Sequence, residues 1–372
     1  MEGRQSLSAI DLQRLTYRRV RVKDNTLDDN LLPSRPLSKR KYFILQTPPT
    51  TNIGLLSVLP LEILHEVISQ LDILSLSHFR RLNRQAFELI GSHPAYRVIA
   101  KYARNALCGI LAVKTGKWIT CDTLYQILCT SKCEQCGDFG GYLYLITCRR
   151  VCFLCFTSNR AYLPMRLDHA SWKFGLHHRV IKDLPCVKIV YGRYSPDQRR
   201  PIHSVLVDYE SARDAGIAKH GSVEAMNSYV SDLAAQKDQV FIDAKRKAEG
   251  DSDAELRITR KHCTWRNRLT TWDLTDRKVG EPFRYVAIVR VPYFDRALRQ
   301  PEWGFHCFGC RDLRRDRQFH FRRKFTAASF QEHLDRCGDI VGGEHRLVKS
   351  RNDIINVFRP YGPHSTNHFD DT

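Results

Sequence analysis

The chain has 372 residues and carries 59 Lys+Arg against 40 Asp+Glu, a formal charge of +19. That length fits two or three domains, and 20 Gly with 15 Pro exclude a collagenous or low-complexity chain. No apolar run approaches the ~20 residues that cross a bilayer, and no apolar segment follows Met1-Glu2-Gly3-Arg4-Gln5-Ser6, so neither a membrane span nor a secretory signal is expected. Its thirteen cysteines are then expected as reduced, intracellular thiols, and paired spacings among them point to metal before disulfides.

Residues 1–54 are polar and basic and end in Gln46-Thr47-Pro48-Pro49-Thr50-Thr51, the composition of a disordered arm. Ser38-Lys39-Arg40-Lys41 within it is a short basic cluster of the nuclear-signal type. The character then changes. After Leu59-Pro60, apolar residues fall at Leu64, Val67, Ile68 and Leu71, the spacing of one helix face. Pro60 suits a helix start, because the N–H it lacks would be unpaired there anyway. Leu76, Phe79 and Leu82, then Phe87, Leu89 and Ile90, mark two more short helices over 55–95. Each is too short to persist alone and must pack on its neighbours or on a partner.

Residues 96–170 read as helices followed by a cysteine module. Cys133-Glu134-Gln135-Cys136 and Cys152-Phe153-Leu154-Cys155 are two C-x2-C pairs fifteen residues apart. The tight turn inside each pair lets two thiolates reach one ion at ~2.3 Å, so the four predict a structural zinc. Cys148 is a spare thiol that could replace Cys152. Tyr142 to Thr147 has strand-type residues, with Gly140-Gly141 as a turn. Residues 171–301 read as a mixed α/β region, with strands at 187–191, 204–207 and 284–291 and an exposed helix from Val223 to Lys247.

The segment 302–342 holds a second predicted zinc module. Cys307-Phe308-Gly309-Cys310 is another knuckle, and His333 and Cys337 lie four apart, on one face of a helix expected to start at Ser329. His306 is a rival ligand. The twenty-two residues between Cys310 and His333 are too many for a DNA-reading finger, which has about twelve. Residues 343–372 read as a polar tail.

No segment concentrates the positive charge, as a nucleic-acid stripe would. The densest run, Arg311 to Lys324, has seven basic and two acidic residues with Phe319, Phe321 and Phe325 interleaved. A zinc-dependent nucleic-acid-binding regulator is therefore the alternative reading. No Gly-rich phosphate loop, G-x-S-x-G or H-E-x-x-H occurs, and no catalytic residue is expected. The fold class expected is α+β: a three-helix unit, then a mixed region with small zinc-stapled modules, two zinc ions in all.

Leu59-Pro60-Leu61-Glu62-Ile63-Leu64, followed by Ile68, Leu71, Leu74, Leu76, Phe79, Arg80, Leu82 and Phe87, resembles an F-box. Leu82-Asn83-Arg84 stands where many members have Val and a small residue, and Phe87 where many carry Trp. With the cysteine-rich segment downstream, the arrangement looks like fungal F-box proteins. The resemblance implies docking on the Skp-type adaptor and cullin scaffold of a Skp–cullin–F-box ubiquitin ligase, in the cytoplasm or nucleus. The residues it implies for that contact are Leu59, Pro60, Leu61, Ile63, Leu64, Ile68, Leu71, Leu74, Phe79 and Leu82. Residues from about 96 onward would hold a protein client that the sequence does not name.

Overall fold

The computed structural model describes residues 8–18, 23–31, 53–195, 198, 201–202, 204–275, 281–311 and 320–346. The architecture is α+β, with short antiparallel sheets set among helices. The basic cluster 38–41, residues 312–319 of the densest basic run and residues 347–372 of the expected tail lie outside the described residues.

The three expected helices are Leu61–Gln70, Ile73–Phe79 and Arg84–Ser92. Pro60 stands at the N-cap of the first. Asp72 caps the second, its carboxylate accepting from Ser75 N at 2.9 Å, and Asn83 caps the third by accepting from Ala86 N at 2.8 Å. These caps explain the tight junctions, since each satisfies a first-turn amide that would otherwise be unpaired. The unit does not stand alone. Helices Pro94–Tyr102, Arg104–Val113 and Cys121–Leu128 continue it, and Cys121 N donates to Leu71 O while Ile73 N donates to Ile119 O. Ile68, Ile73, Leu76 and Ile90 share one apolar core with Ile99, Ile110 and Leu124.

That core runs on into a three-stranded sheet ordered Arg149–Val151, Tyr142–Tyr144, Ile288–Arg290. The expected strands at 142–147 and 284–291 thus pair with each other, in shorter form, across the boundary drawn at residue 170. Helix Arg104–Val113 lies close against this sheet. A Cβ on Gly109 would come within 2.9 Å of Leu145 and 3.3 Å of Val289.

A second sheet, ordered Met165–Arg166, Val205–Val207, Cys186–Lys188, packs with helices Leu167–Lys173, His178–Asp183 and Tyr209–His220 around Phe174 and Ile181. The exposed helix spans Val223–Lys247 as expected, and Ser252–Thr275 returns antiparallel to it. Trp172 holds this hairpin: Lys237 Nζ sits 3.2 Å from its ring centroid and Trp265 meets it edge-on at 5.8 Å.

The disordered arm expected over 1–54 is corrected in two places. Helix Ala9–Leu15 leads into strand Thr16–Tyr17, which pairs with His306–Cys307. Leu27 is fully buried in the main core, and Asp28 accepts from Arg290 N at 2.6 Å at the sheet edge. A low average hydropathy hides such isolated anchors. Asp24 is buried too, paired with Arg322 and accepting from the Tyr142 hydroxyl at 2.7 Å.

Candidate functional site

The helical unit presents two unlike faces. Leu64 and Ile68, expected to meet a partner, are 8% and 1% exposed and belong to the chain's own interior. Helical periodicity marks an apolar face without saying what covers it, and Cys121–Leu128 packs on the Leu61–Gln70 helix here. Leu71 and Phe79 are half-buried against the core. Leu59, Pro60, Leu61, Ile63, Leu74 and Leu82 are exposed, Leu61 to 51% and Leu82 to 71%. Four further apolar residues join them: Leu55, Leu56, Val58 and Val67. Three of these sit in the 3-10 turn Gly54–Val58, and the signal missed was an apolar run in a turn, where burial by the chain itself is rare. Exposed apolar residues gathered over one short stretch are a feature of interaction surfaces.

The first cysteine group forms one cluster. The Sγ atoms of Cys133, Cys136, Cys152 and Cys155 all lie within 4.8 Å of one another, with Cys136 and Cys152 at 3.6 Å. Gly137, at φ +76°, closes the first knuckle by donating to Cys133 O, a conformation that suits glycine. Cys152 caps the Phe153–Ser158 helix, its sulfur accepting from Cys155 N at 3.4 Å. Cys148 lies outside the cluster, in the turn joining two strands at φ +55°, and burial pushes its thiol up to about 12. Hydrogen bonds from Cys136, Cys152 and Cys155 hold the Cys133 thiol far below its ordinary range, while Cys152 and Cys155 are pushed up. Four thiols this close cannot all ionise beside one another, and a divalent cation among them removes that conflict.

The second cluster differs from expectation in one ligand. Cys307, Cys310, His333 and His345 converge, and His345 takes the fourth corner assigned to Cys337. Cys307 Sγ lies 3.3 Å from His345 Nε2, Cys310 Sγ 3.4 Å from His333 Nε2, and the two Nε2 atoms are 3.2 Å apart. Donors held at about 2.0–2.3 Å around a tetrahedral ion are separated by about 3.3–3.8 Å, close to what both clusters show. His345 Nδ1 donates to Gly338 O at 2.9 Å, which turns its Nε2 lone pair inward, and His333 Nδ1 lies 3.3 Å from the Cys337 sulfur while its Nε2 faces the cluster. A cation between the two Nε2 atoms would take a lone pair from each ring. Cys337 therefore orients a ligand; burial pushes its thiol up to about 12. The rival His306 is not a member: its Nδ1 bonds Arg323 O at 3.0 Å and its ring stacks on Tyr17.

Local sequence explains how these donors meet. The ligand-bearing helix is Ala327–Cys337, starting three residues earlier than expected at a reciprocal Thr326/Ser329 cap. Strands Ile340–Val341 and Glu344–His345 form a hairpin whose turn residues Gly342 and Gly343 have φ +64° and +90°. Adjacent positive-φ glycines are the signature of a tight two-residue hairpin, and that turn was the available sign that His345 comes back towards the knuckle.

The two clusters are joined through a buried ionic core. Arg322 pairs with Asp24, lies 3.3 Å from the Tyr142 hydroxyl and covers the Phe153 ring at 4.0 Å. Arg323 pairs with Asp138, beside the first knuckle.

The exposed apolar residues of this helical unit fall largely within one recognisable domain. Residues 56–97 match the family model of the F-box domain. Neither a curated protein nor a solved structure gives a significant match to the chain. Among the described residues no helix is long and apolar enough to cross a membrane.

Proposed function

We propose that this chain is the adaptor-docking subunit of a Skp–cullin–F-box ubiquitin ligase, and that its zinc-stapled remainder presents a protein client. The observation that carries this reading is the exposed apolar strip of the F-box, from Leu55 through Leu61 to Leu82, left uncovered while Leu64 and Ile68 complete the inner core. The ligase scaffold, and not this chain, would carry the transfer chemistry. Co-purification with a Skp-type adaptor tests the reading, and a folded chain that fails to bind the adaptor refutes it.

Zinc is the ion the two clusters suit best, because four Cys/Cys or Cys/His donors at tetrahedral separations match its preference for sulfur and imidazole nitrogen. Bound there, it would act as a staple: neither donor set leaves an open corner. Two ions per chain are expected. The proposed organisation is an F-box at 55–95, a first zinc module within 96–170, a mixed region at 171–301 and a second zinc module from 302, extended to His345. Cytoplasm or nucleus is the proposed location. The nucleic-acid alternative gains nothing from the long hairpin, whose span 223–275 carries nine basic and nine acidic residues.

A further inference from the structure

Between the two clusters lies a cavity of about 430 Å³, within the ~300–1,000 Å³ typical of ligand sites. Lys132, Arg323, Lys324 and Arg336 line it against only Asp138 and Glu332. The first turn of the Ala327–Cys337 helix, through Ala328 and Ser329, forms part of the same wall. The Ser329 amide is already taken by the Thr326 hydroxyl at 3.2 Å, which leaves that of Ala328 without an intrahelical acceptor at the end of the helix that carries partial positive charge.

The polar groups of this wall are not fully used. Arg323 spends its Nη2 on Asp138. Lys324 Nζ donates to Trp303 O at 3.0 Å and makes no other hydrogen bond among the described residues. An ammonium has three protons to donate, so two remain. Lys132 has no side-chain partner among the described residues.

We infer that this cavity is an oxyanion-binding site, taking a phosphate or carboxylate group against Lys132, Arg323, Lys324 and the first turn of the Ala327–Cys337 helix. The group has two sources, a side chain of a bound protein or a small free anion, and both present the same acceptor oxygens. Charge-assisted hydrogen bonds to Arg, Lys and helix N-termini are the usual means of holding such groups. The inference stands apart from the docking reading, because no residue of the cavity lies within 56–97.

The test is calorimetric titration of the zinc-loaded full chain with inorganic phosphate, a phosphoserine peptide, and the same peptide bearing Glu or unmodified Ser. Saturable binding of an anionic probe is expected, weakened about tenfold or more by Lys132→Ala and by Lys324→Met. Lys132 is exposed, so its variant keeps the fold even where Lys324→Met does not. A phosphopeptide that outcompetes phosphate assigns the source to a protein; equal affinities assign it to a free anion. No binding by any anion, or wild-type affinity in folded Lys132→Ala and Lys324→Met, overturns the proposal. Adaptor binding measured on the same samples is unchanged in either case, so the two readings fail separately.

Discussion

Ile68 and Leu61 lie seven residues apart on one helix, and the structure predicts opposite consequences for truncating them. Ile68 is 1% exposed among Ile73, Leu76 and Ile90. Its change to alanine removes three carbon groups at about 0.8 kcal/mol each and leaves a cavity, for a total of about 3–4 kcal/mol. Leu61 is half exposed, and a surface truncation there costs within about 0.5 kcal/mol of folding stability. As one of the docking anchors it would instead contribute about 2 kcal/mol of binding, near thirtyfold in affinity. Urea unfolding followed by helical signal, with calorimetry against a purified Skp-type adaptor, separates the two. Ile68→Ala should lower the unfolding midpoint, and Leu61→Ala should weaken adaptor binding while leaving the midpoint in place. A folded Leu61→Ala, Leu82→Ala double variant that binds the adaptor within twofold of wild type would refute the assignment of faces.

Metal analysis distinguishes the fourth ligand of the second cluster. His345→Ala should lower the content from two ions to about one, whereas Cys337→Ser should retain two and weaken the site by about tenfold to a hundredfold. Arg322→Met strands the buried Asp24 carboxylate, and should cost about 3–5 kcal/mol in thermal unfolding, recovered in part by adding Asp24→Asn. Burial, aided by the Lys324 charge, holds the folded His306 imidazole down to about 4. The unfolded ring protonates near 6.5, so stability is full above that pH and falls as the pH drops towards 4, by up to about 3 kcal/mol. His306→Gln should flatten stability between pH 6.5 and 4, and an unchanged slope removes this imidazole as the cause.

How much of this was legible from residue order depends on the distance over which each signal acts. Knuckle spacing is local, and Cys133, Cys136, Cys152, Cys155, Cys307 and Cys310 all converge as their pattern requires. The helix Val223–Lys247 was readable because twenty-five residues of consistent propensity leave little ambiguity. His345 was not, because it reaches the site from a segment with no apolar periodicity, returned by two glycines. The same holds for Thr16–Tyr17, whose pairing with His306–Cys307 depends on a strand far along the chain. Leu64 and Ile68 fail differently. Their spacing reported an apolar face correctly, but only the later Cys121–Leu128 helix decides that the chain itself covers it.

The pairing of Asp24 with Arg322 has a consequence for biosynthesis. The two residues are 298 positions apart, and a ribosome adding about 5–20 residues per second needs on the order of 15–60 s to bridge that gap. Throughout that interval Asp24 lacks the guanidinium it pairs with in the finished protein, although Tyr142 is made far earlier, and the Thr16–Tyr17 strand waits nearly as long for His306–Cys307. Thr16, Tyr17 and the Asp24 carboxylate thus receive these contacts late in synthesis, and until then a nascent chain would shield them by transient contacts or by a chaperone.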